Sequence, residues 1–520
     1  MKELGENAVV KKKGTRLRAA GLAAMAAALA AGTLVGCSGS SSEQAEQSVL
    51  RIGMLYGSPD NDSWFRQQYT DTFEFTHPNV SLEIVYANNY NDMRYTNGDQ
   101  QKEQPDPYEK MQELLTGQNP VDVVMVDYYQ LQRMVQDGLL QQLDPLIAKD
   151  KFDISDYVPT VIDGIKAAGD SKIYVLTPTF SGSALFYNKK IFSDAGVQPP
   201  TDKMTWNQVF DLARKVKGGT GEKQVFGLTM NRWSGGDPFS DLQTYIAPLQ
   251  LKMFDDKGEK MLVDSGPAWS NAWDTILKLY KEDVLPTQEK IQKINEAQQK
   301  QREKDQNSFM YQNDLFNSGN VAMTIADYNY IMELKNIKDA AATNKNMKPI
   351  DWDVVTVPVF EEHPDVGGNS YLGQPMGINA KAQNPDGAWE FIKFLNSREW
   401  AKLKSRSTYE IPARAEFIKP IDGMQYNIKA FYSLKPVPPT SSAMEELARK
   451  KPGIYEVQSI GQQSFQQALS GKMTAEEAVK DWATKGNALL AKLKTNPTNS
   501  PEGKEGGSTD GGAVEVLPAG

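Results

Sequence analysis

The run from Leu50 to Tyr86 constrains the fold class more than any other part of the chain. "LRIGMLY" at Leu50–Tyr56 is a short apolar run of the kind that forms a strand. "NDSWFRQQYTDTFEF" follows, with Trp64, Phe65, Gln68, Tyr69, Thr72 and Phe73 at helical spacing. "HPNV" stops that helix, because a residue before proline is pushed out of the helical region. "VSLEIVY" then alternates like a strand. Strand, helix and strand in this order begin a parallel α/β sheet.

The same alternation continues. Asn88 to Pro107 is polar and reads as a surface loop. "YEKMQELLTG" reads as a helix with Gly117 at its C-cap, and "VDVVMVD" as a buried strand ending at Asp127. "YYQLQRMVQDGLL" is a helix stopped by Gly138, and "LDPLI" a turn. "KIYVLTPTFSG", "VFGLTMN", "NVAMTIADYNY" and "WDVVTVPVF" read as strands. The last two open into a polar aromatic loop and into the loop "EEHPDVGGNSYLGQ". Thr205 with Gln208, and Thr474 with Glu477, predict capping boxes at the starts of two helices. "DDKG" at Asp255–Gly258 lacks the closing glutamate of a calcium loop and reads as a hairpin turn.

Composition narrows the function. The chain of 520 residues has 40% hydrophobic and 24% charged residues, so it is globular and too long for a single core. Its net charge is −9, with no basic block in the body of the chain, which argues against nucleic acid as a partner. There is one cysteine, Cys37, and two histidines, His77 and His363, each directly before a proline and read as turn residues. Disulfides, thiolate nucleophiles, cysteine zinc sites and a Ser-His-Asp triad are therefore not expected, and neither a metal nor a cofactor is called for.

Lys11, Lys12, Lys13, Arg16 and Arg18 precede an uncharged, alanine-rich segment, Ala19 to Gly36. That is the layout of a secretory signal. Leu34-Val35-Gly36-Cys37 resembles the bacterial lipobox. The resemblance implies that residues 1–36 are a signal peptide and that the Cys37 thiol carries a diacylglyceryl group after cleavage behind Gly36. Residues 37–48 would then be a lipidated, serine-rich tether. More than one acyl chain holds a protein stably on a membrane. The expected location is the extracellular face of the cell membrane. The lead Met1–Val10 departs from the pattern in carrying Glu3 and Glu6.

"ALFYNKKIFSDAG", Ala184 to Gly196, resembles a signature of the extracellular solute-binding proteins of ABC transporters, family 1, a group that contains many sugar-binding lipoproteins. A small residue, two apolar residues, Tyr187, Asn188, Phe192 and Asp194 stand at the matching offsets, while Thr177 and Pro178 depart from the leading part. "NPVDVVMVD", "MTWNQVFDLA", "FNSGNVAMTIADY", "AWEFIKFLNS" and "KMTAEEAV" follow the family order, so the resemblance spans roughly residues 48 to 496. It implies an α/β fold of two periplasmic-binding-protein-like lobes with a hinge and a central ligand cleft. Residues 49–182 and 329–397 would form lobe one, 183–328 and 398–496 lobe two, and 497–520 a disordered tail. The chain would cross near Thr177–Ser183 and Ala326–Asn329, and lobe one would regain the chain around "WDVVTVPVF". The implied function is that of a monomeric binding lipoprotein without catalysis. It captures a carbohydrate, and an oligosaccharide in particular, for the permease subunits of an ABC importer.

A sugar offers hydroxyls and flat patches of C–H, so its site needs planar hydrogen-bonding side chains and aromatic faces. Such residues belong in loops after strands. Asp127 and Tyr128 follow "VVMV", Trp233 follows "FGLTMN" beside Gly235 and Gly236, and Asp327 and Tyr328 follow "AMTI". Tyr371 and Gln374 lie before "MGIN", and Trp64 opens the first helix. Arg414, in "IPAR", stands where the family often places a cleft residue. Each has a structural alternative. Trp64 fits a core as well as a cleft, Asp127 can cap a helix, and Arg414 can form a structural ion pair. Trp206, Trp269, Trp273, Trp389, Trp400 and Trp482 sit within helices and read as packing residues. A surface glycoside hydrolase and a solute-sensing subunit of a signalling system remain as alternative readings. The first would need two carboxylates flanking a cleft.

Overall fold

The computed structural model describes residues 47–499, apart from 96–105, 234–237, 305–310, 312–313, 345, 368–369, 407–408, 422 and 438–441. The signal segment, Cys37, the tether up to residue 46, Gly235 with Gly236, and the tail from residue 500 lie outside the described residues.

Two sheets organise the described residues. In the first, β1 (Ser48–Gly57) lies parallel to β2 (Val80–Asn89) and to β3 (Val123–Met125), as the strand–helix–strand pattern predicts. The order is β2-β1-β3-β10-β4, and β10 (Met376–Ile378) enters antiparallel between β3 and β4 (Val175–Leu176). In the second sheet β5 (Thr179–Asn188) is central. Its first half pairs with β9 (Ser370–Gly373) and β11 (Ile411–Pro412). Its second half pairs with β7 (Val321–Asp327) and β8 (Trp352–Thr356), and β6 (Phe226–Thr229) lies parallel to β7.

The sheets are linked where ladders break. Pro178 has no N–H to continue β4, so the single strand expected at "KIYVLTPTFSG" becomes β4 and β5, one in each sheet. The chain returns at Gln374–Pro375, between β9 and β10. Gln374 stands there at φ 58°, a conformation few residues other than glycine adopt. Thr177 Oγ1 donates to the Gly373 carbonyl at 2.6 Å and so ties the two crossings together.

Two cores result. One holds the first sheet and one face of the second, with Phe180, Phe186 and Phe431 carrying it between them. The other lies on the opposite face, under the helices Trp206–Val216, Ala268–Lys281 and Ala475–Leu493. At its centre Trp273 stacks on Trp482 at 5.5 Å, and both are fully buried. Trp206, Trp269, Trp389 and Trp400 are buried too, as their helical positions predict. Both capping boxes form. Gly138 ends its helix at φ 67°, whereas Gly117 caps with extended backbone instead of a left-handed turn. "DDKG" is a turn, with Phe254 and Met261 bridging beyond it.

Several expectations need correction. "LDPLI" opens a helix, Asp144–Asp150, because proline is tolerated in a first turn. "YNY" after β7 opens the helix Tyr330–Ala341. The loop after β8 contains β9. "WDVVTVPVF" does not regain the first sheet, since β8 pairs with β5 and Val355, Val357 and Val359 fill the second core. The helix Arg398–Lys404, assigned above to lobe two, packs with the first core, where Trp400 stacks on Tyr69 at 6.0 Å. The polar stretch from Asn88 is partly regular: β2 runs to Asn89 and a helix spans Tyr90–Tyr95.

Candidate functional site

Parallel strands leave their carboxyl ends open, and those ends carry most of the candidates. In the first sheet Tyr56 is level with Asn88 of β2. Ile52 pairs with Val123 and Gly53 with Val124, so the same register continued brings Tyr56 level with Asp127. Tyr56 and Tyr90 are 43% and 47% exposed, and their rings stack at 6.4 Å with planes 11° apart. Partial burial raises the Tyr56 phenol above its ordinary value, and Tyr90, Asp106 and Asp127 add to the effect. Asp127 is exposed, while Tyr128 is half-buried and donates its hydroxyl to the Gly164 carbonyl, 3.1 Å away. Tyr128 therefore has a structural bond as well as a place beside the strand end.

Trp64 lies in a helical stretch that widens to a π turn at Arg66–Thr70. It is 58% exposed, with its ring edge-on to buried Tyr69, so it is not a core tryptophan. The Tyr69 and Thr179 hydroxyls both donate to Glu410 Oε2, at 3.2 and 2.5 Å, which ties this stretch to the start of β5. Burial lowers the pKa of Lys404, which lies over the Tyr69 and Trp400 rings.

At the second sheet Trp233 follows β6 and is 58% exposed. Arg232, beside it, lies over the indole and over the ring of buried Tyr330. It also pairs with Glu333 and approaches buried Asp314 at 3.7 Å. Asp327 closes β7 and accepts from Ser183 Oγ at 2.6 Å. Its desolvated carboxyl is raised above the ordinary range, with the Ser183 bond opposing the shift. Tyr371 is exposed on β9, opposite Ser181, and Gln374 is half-buried at the crossing.

Two candidates belong to the interior. Tyr328 is buried against Phe431. Arg414 is buried as well. It pairs with Asp156, and it donates to the Asn396 carbonyl at 2.9 Å and the Asp153 carbonyl at 3.0 Å. It is the structural ion pair held open above, not a cleft residue. Sequence reading missed Tyr56, Tyr90 and Glu410. Tyr56 ends a strand run that was recognised, but nothing local announces that Tyr90, which opens the helix after β2, meets it.

The profile of the bacterial extracellular solute-binding protein family matches residues 56–402. Among curated relatives, the sn-glycerol-3-phosphate-binding periplasmic protein UgpB of Pectobacterium atrosepticum is 25% identical over 363 residues, which is 66% of this chain and 72% of the relative. A sugar transporter protein of Rhizobium etli, solved in an open conformation, shares the fold with a TM-score of 0.57 at 19% identity, covering 85% of this chain and 99% of its own. The sugar-binding protein MalE of Xanthomonas citri aligns with a TM-score of 0.56 at 15% identity, covering 86% and 98%. The fold is thus the two-lobe α/β architecture of these binding proteins, and the hydrolase alternative falls with the family. The chain belongs to the bacterial extracellular solute-binding proteins, which bind solutes for ABC transporters and are not enzymes.

Proposed function

We propose that this protein captures a carbohydrate, and an oligosaccharide in particular, outside the cell and hands it to the permease subunits of an ABC importer. The observation that carries the reading is the split among its tryptophans. Those within the later helices are buried, whereas Trp64, in the helical stretch after β1, and Trp233, just beyond β6, are each 58% exposed on the connections that follow strands, where α/β sheets bind ligands. Exposed aromatic faces beside carboxylates and amides suit the C–H patches and hydroxyls of a sugar.

A phosphorylated solute like that of UgpB fits less well. Four arginines near these segments are already paired: Arg66 with Asp62, Arg133 and Arg449 with Asp106, and Arg232 with Asp314 and Glu333. A phosphate at any of these four would have to displace a carboxylate, and Asp127 adds negative charge beside the first sheet. A thermal-shift screen of neutral glycans against sn-glycerol 3-phosphate tests this, since a ligand bound only to the folded state raises Tm. A shift with glycans is expected. A shift with the phosphate alone would overturn the reading.

Anchoring rests on Leu34–Cys37 and on the absence of any other cysteine. Mass spectrometry of the mature N-terminus should find acylated Cys37, and Cys37→Ser should release the protein from the membrane. An unmodified thiol at Cys37 would exclude the anchor.

A further inference from the structure

We infer that Glu410 is a positioning residue that couples the stretch bearing Trp64 to the hinge, so that solute contact at the indole biases the lobes toward closure. The inference rests on the reading of Trp64 as a solute contact and adds how that contact reaches the crossings. Glu410 immediately precedes β11, whose Ile411 and Pro412 pair with Phe180 and Thr179 at the start of β5. Its half-buried carboxylate stands beside both crossings. On the first, Thr179, the residue after Pro178, donates its hydroxyl to Oε2 at 2.5 Å. On the second, Gly373 directly precedes Gln374. A Cβ at Gly373 would collide with the Thr179 hydroxyl and stand 2.9 Å from Glu410 Oε1. Glycine there lets the carboxylate, the hydroxyl and the second crossing approach so closely.

The same Oε2 atom takes its second partner from the first lobe, where the Tyr69 hydroxyl donates at 3.2 Å. Tyr69 lies in the π turn Arg66–Thr70, a geometry that recurs at functional sites. Its buried ring packs against Phe65 at 5.3 Å and Trp400 at 6.0 Å, and meets Trp64 edge-on at 6.1 Å. Lys404 Nζ donates to the Oε1 atom of Gln68 in the same turn, at 2.6 Å. Close-packed interiors have low compressibility and transmit strain. A solute that presses on Trp64 therefore shifts the phenol, and one oxygen shared by two hydroxyls passes the shift to Thr179 at the first crossing. Burial, and after it the Glu410 charge, raise the Tyr69 phenol above its ordinary value, so it stays protonated and remains a donor.

The test uses the full mature protein with the linear trisaccharides of glucose, mannose and xylose. The one that raises Tm most is carried into calorimetry and small-angle scattering. Tyr69→Phe and Thr179→Val each keep the side chain's shape and remove one hydroxyl. Each should weaken binding by about fivefold or more and reduce the fall in radius of gyration at saturation. The double variant should bind no more weakly than either single one, because both bonds act through one carboxylate. Glu410→Gln, whose amide oxygen still accepts from both hydroxyls, should keep most of the affinity, whereas Glu410→Met should match the double variant. If the single variants lower Tm but keep the wild-type affinity and radius change, Glu410 is purely structural and the coupling is refuted. Additive losses of affinity in the double variant refute it too, as does a wild-type radius that does not fall at saturation. Trp64→Ala separates the coupling from the reading beneath it. Lost affinity there, with wild-type behaviour in the hydroxyl variants, refutes the coupling and leaves Trp64 a solute contact. Unchanged affinity in Trp64→Ala, or binding of none of the three sugars, removes both together.

Discussion

The Arg232 guanidinium lies 4.3 Å from the centroid of the Trp233 indole and 4.4 Å from that of Tyr330. Its neighbour in the chain thus gives Trp233 a packed support, although the indole is 58% exposed. Asp314, which accepts from the Tyr330 hydroxyl at 2.9 Å, and Glu333 hold the arginine in turn. An exposed indole fixed in this way is pre-organised to meet a ligand, and a cation over a tryptophan face is worth about 0.5–2 kcal/mol.

The two residues should therefore separate in mutagenesis. Trp233→Ala is expected to weaken glycan binding by about tenfold or more, with little change in the Tm of the unliganded protein. A core tryptophan would instead cost about 3–5 kcal/mol of stability. Arg232→Ala should lower both affinity and Tm, because it also leaves buried Asp314 without its cation. Calorimetry and melting of the same two variants check the split.

Arg414 gives the opposite expectation. Its guanidinium is spent on Asp156 and two carbonyls in the interior. Arg414→Ala should destabilise the fold by about 3–5 kcal/mol, the usual cost of breaking a buried ion pair. The ligand affinity of the remaining folded protein should hold. Denaturant melts with parallel titrations measure both, and a loss of affinity at unchanged stability would return Arg414 to the site.

Asp327 predicts a pH dependence. Burial raises its carboxyl above the ordinary aspartate value of 3.8. Below that value both folded and unfolded chains are protonated and no penalty exists. As pH rises past 3.8 the unfolded chain ionises first, so the wild type loses stability until the raised pKa is passed, and then levels off. Asp327→Asn does not titrate and can still accept from Ser183. Its stability relative to wild type should grow across that window and then reach a plateau. Melts between pH 3 and pH 8 would show it, and a gap that narrows with rising pH would contradict the burial argument.

What the sequence made legible was local. Thr205 with Gln208, and Thr474 with Glu477, cap as read because the whole interaction lies within four residues. The helical tryptophans were read as core because a 3.6-residue period states which face is buried. Asp127 and Trp233 were placed correctly beyond strands because the strands themselves are continuous apolar runs. Pairings between distant segments left no such mark. Nothing in "WDVVTVPVF" says that it lies against β5, and nothing in "MGI" says that it inserts antiparallel beside β3. Arg414 and Tyr328 were misplaced for a related reason. A motif position gives the neighbourhood of a residue along the chain, whereas burial depends on what packs over it from elsewhere.

The crossings predict a hinge. Thr177–Pro178 and Gln374–Pro375 join the two sheets, and in each the proline interrupts the ladder, so rotation there breaks no backbone hydrogen bond that the proline could donate. Thr177 Oγ1 bonds one crossing to the other, so the two should move together. Away from the crossings, Arg449 on the helix Ser442–Lys450 reaches Asp106 at 3.5 Å. The first belongs to a helix that packs in the second core through Leu447, and the second caps the helix Pro107–Thr116 of the first core. This pair links the lobes directly and should favour their approach. Glycan binding is expected to lower the radius of gyration, the signature of hinge closure around a ligand. Arg449→Ala should raise the radius of the unliganded protein and weaken binding by a few-fold, as an exposed ion pair is worth about 0.2–1 kcal/mol. Small-angle scattering of both proteins, with and without a saturating glycan, checks the two effects. A radius unchanged at saturation would mean that the lobes hold the solute without closing on it.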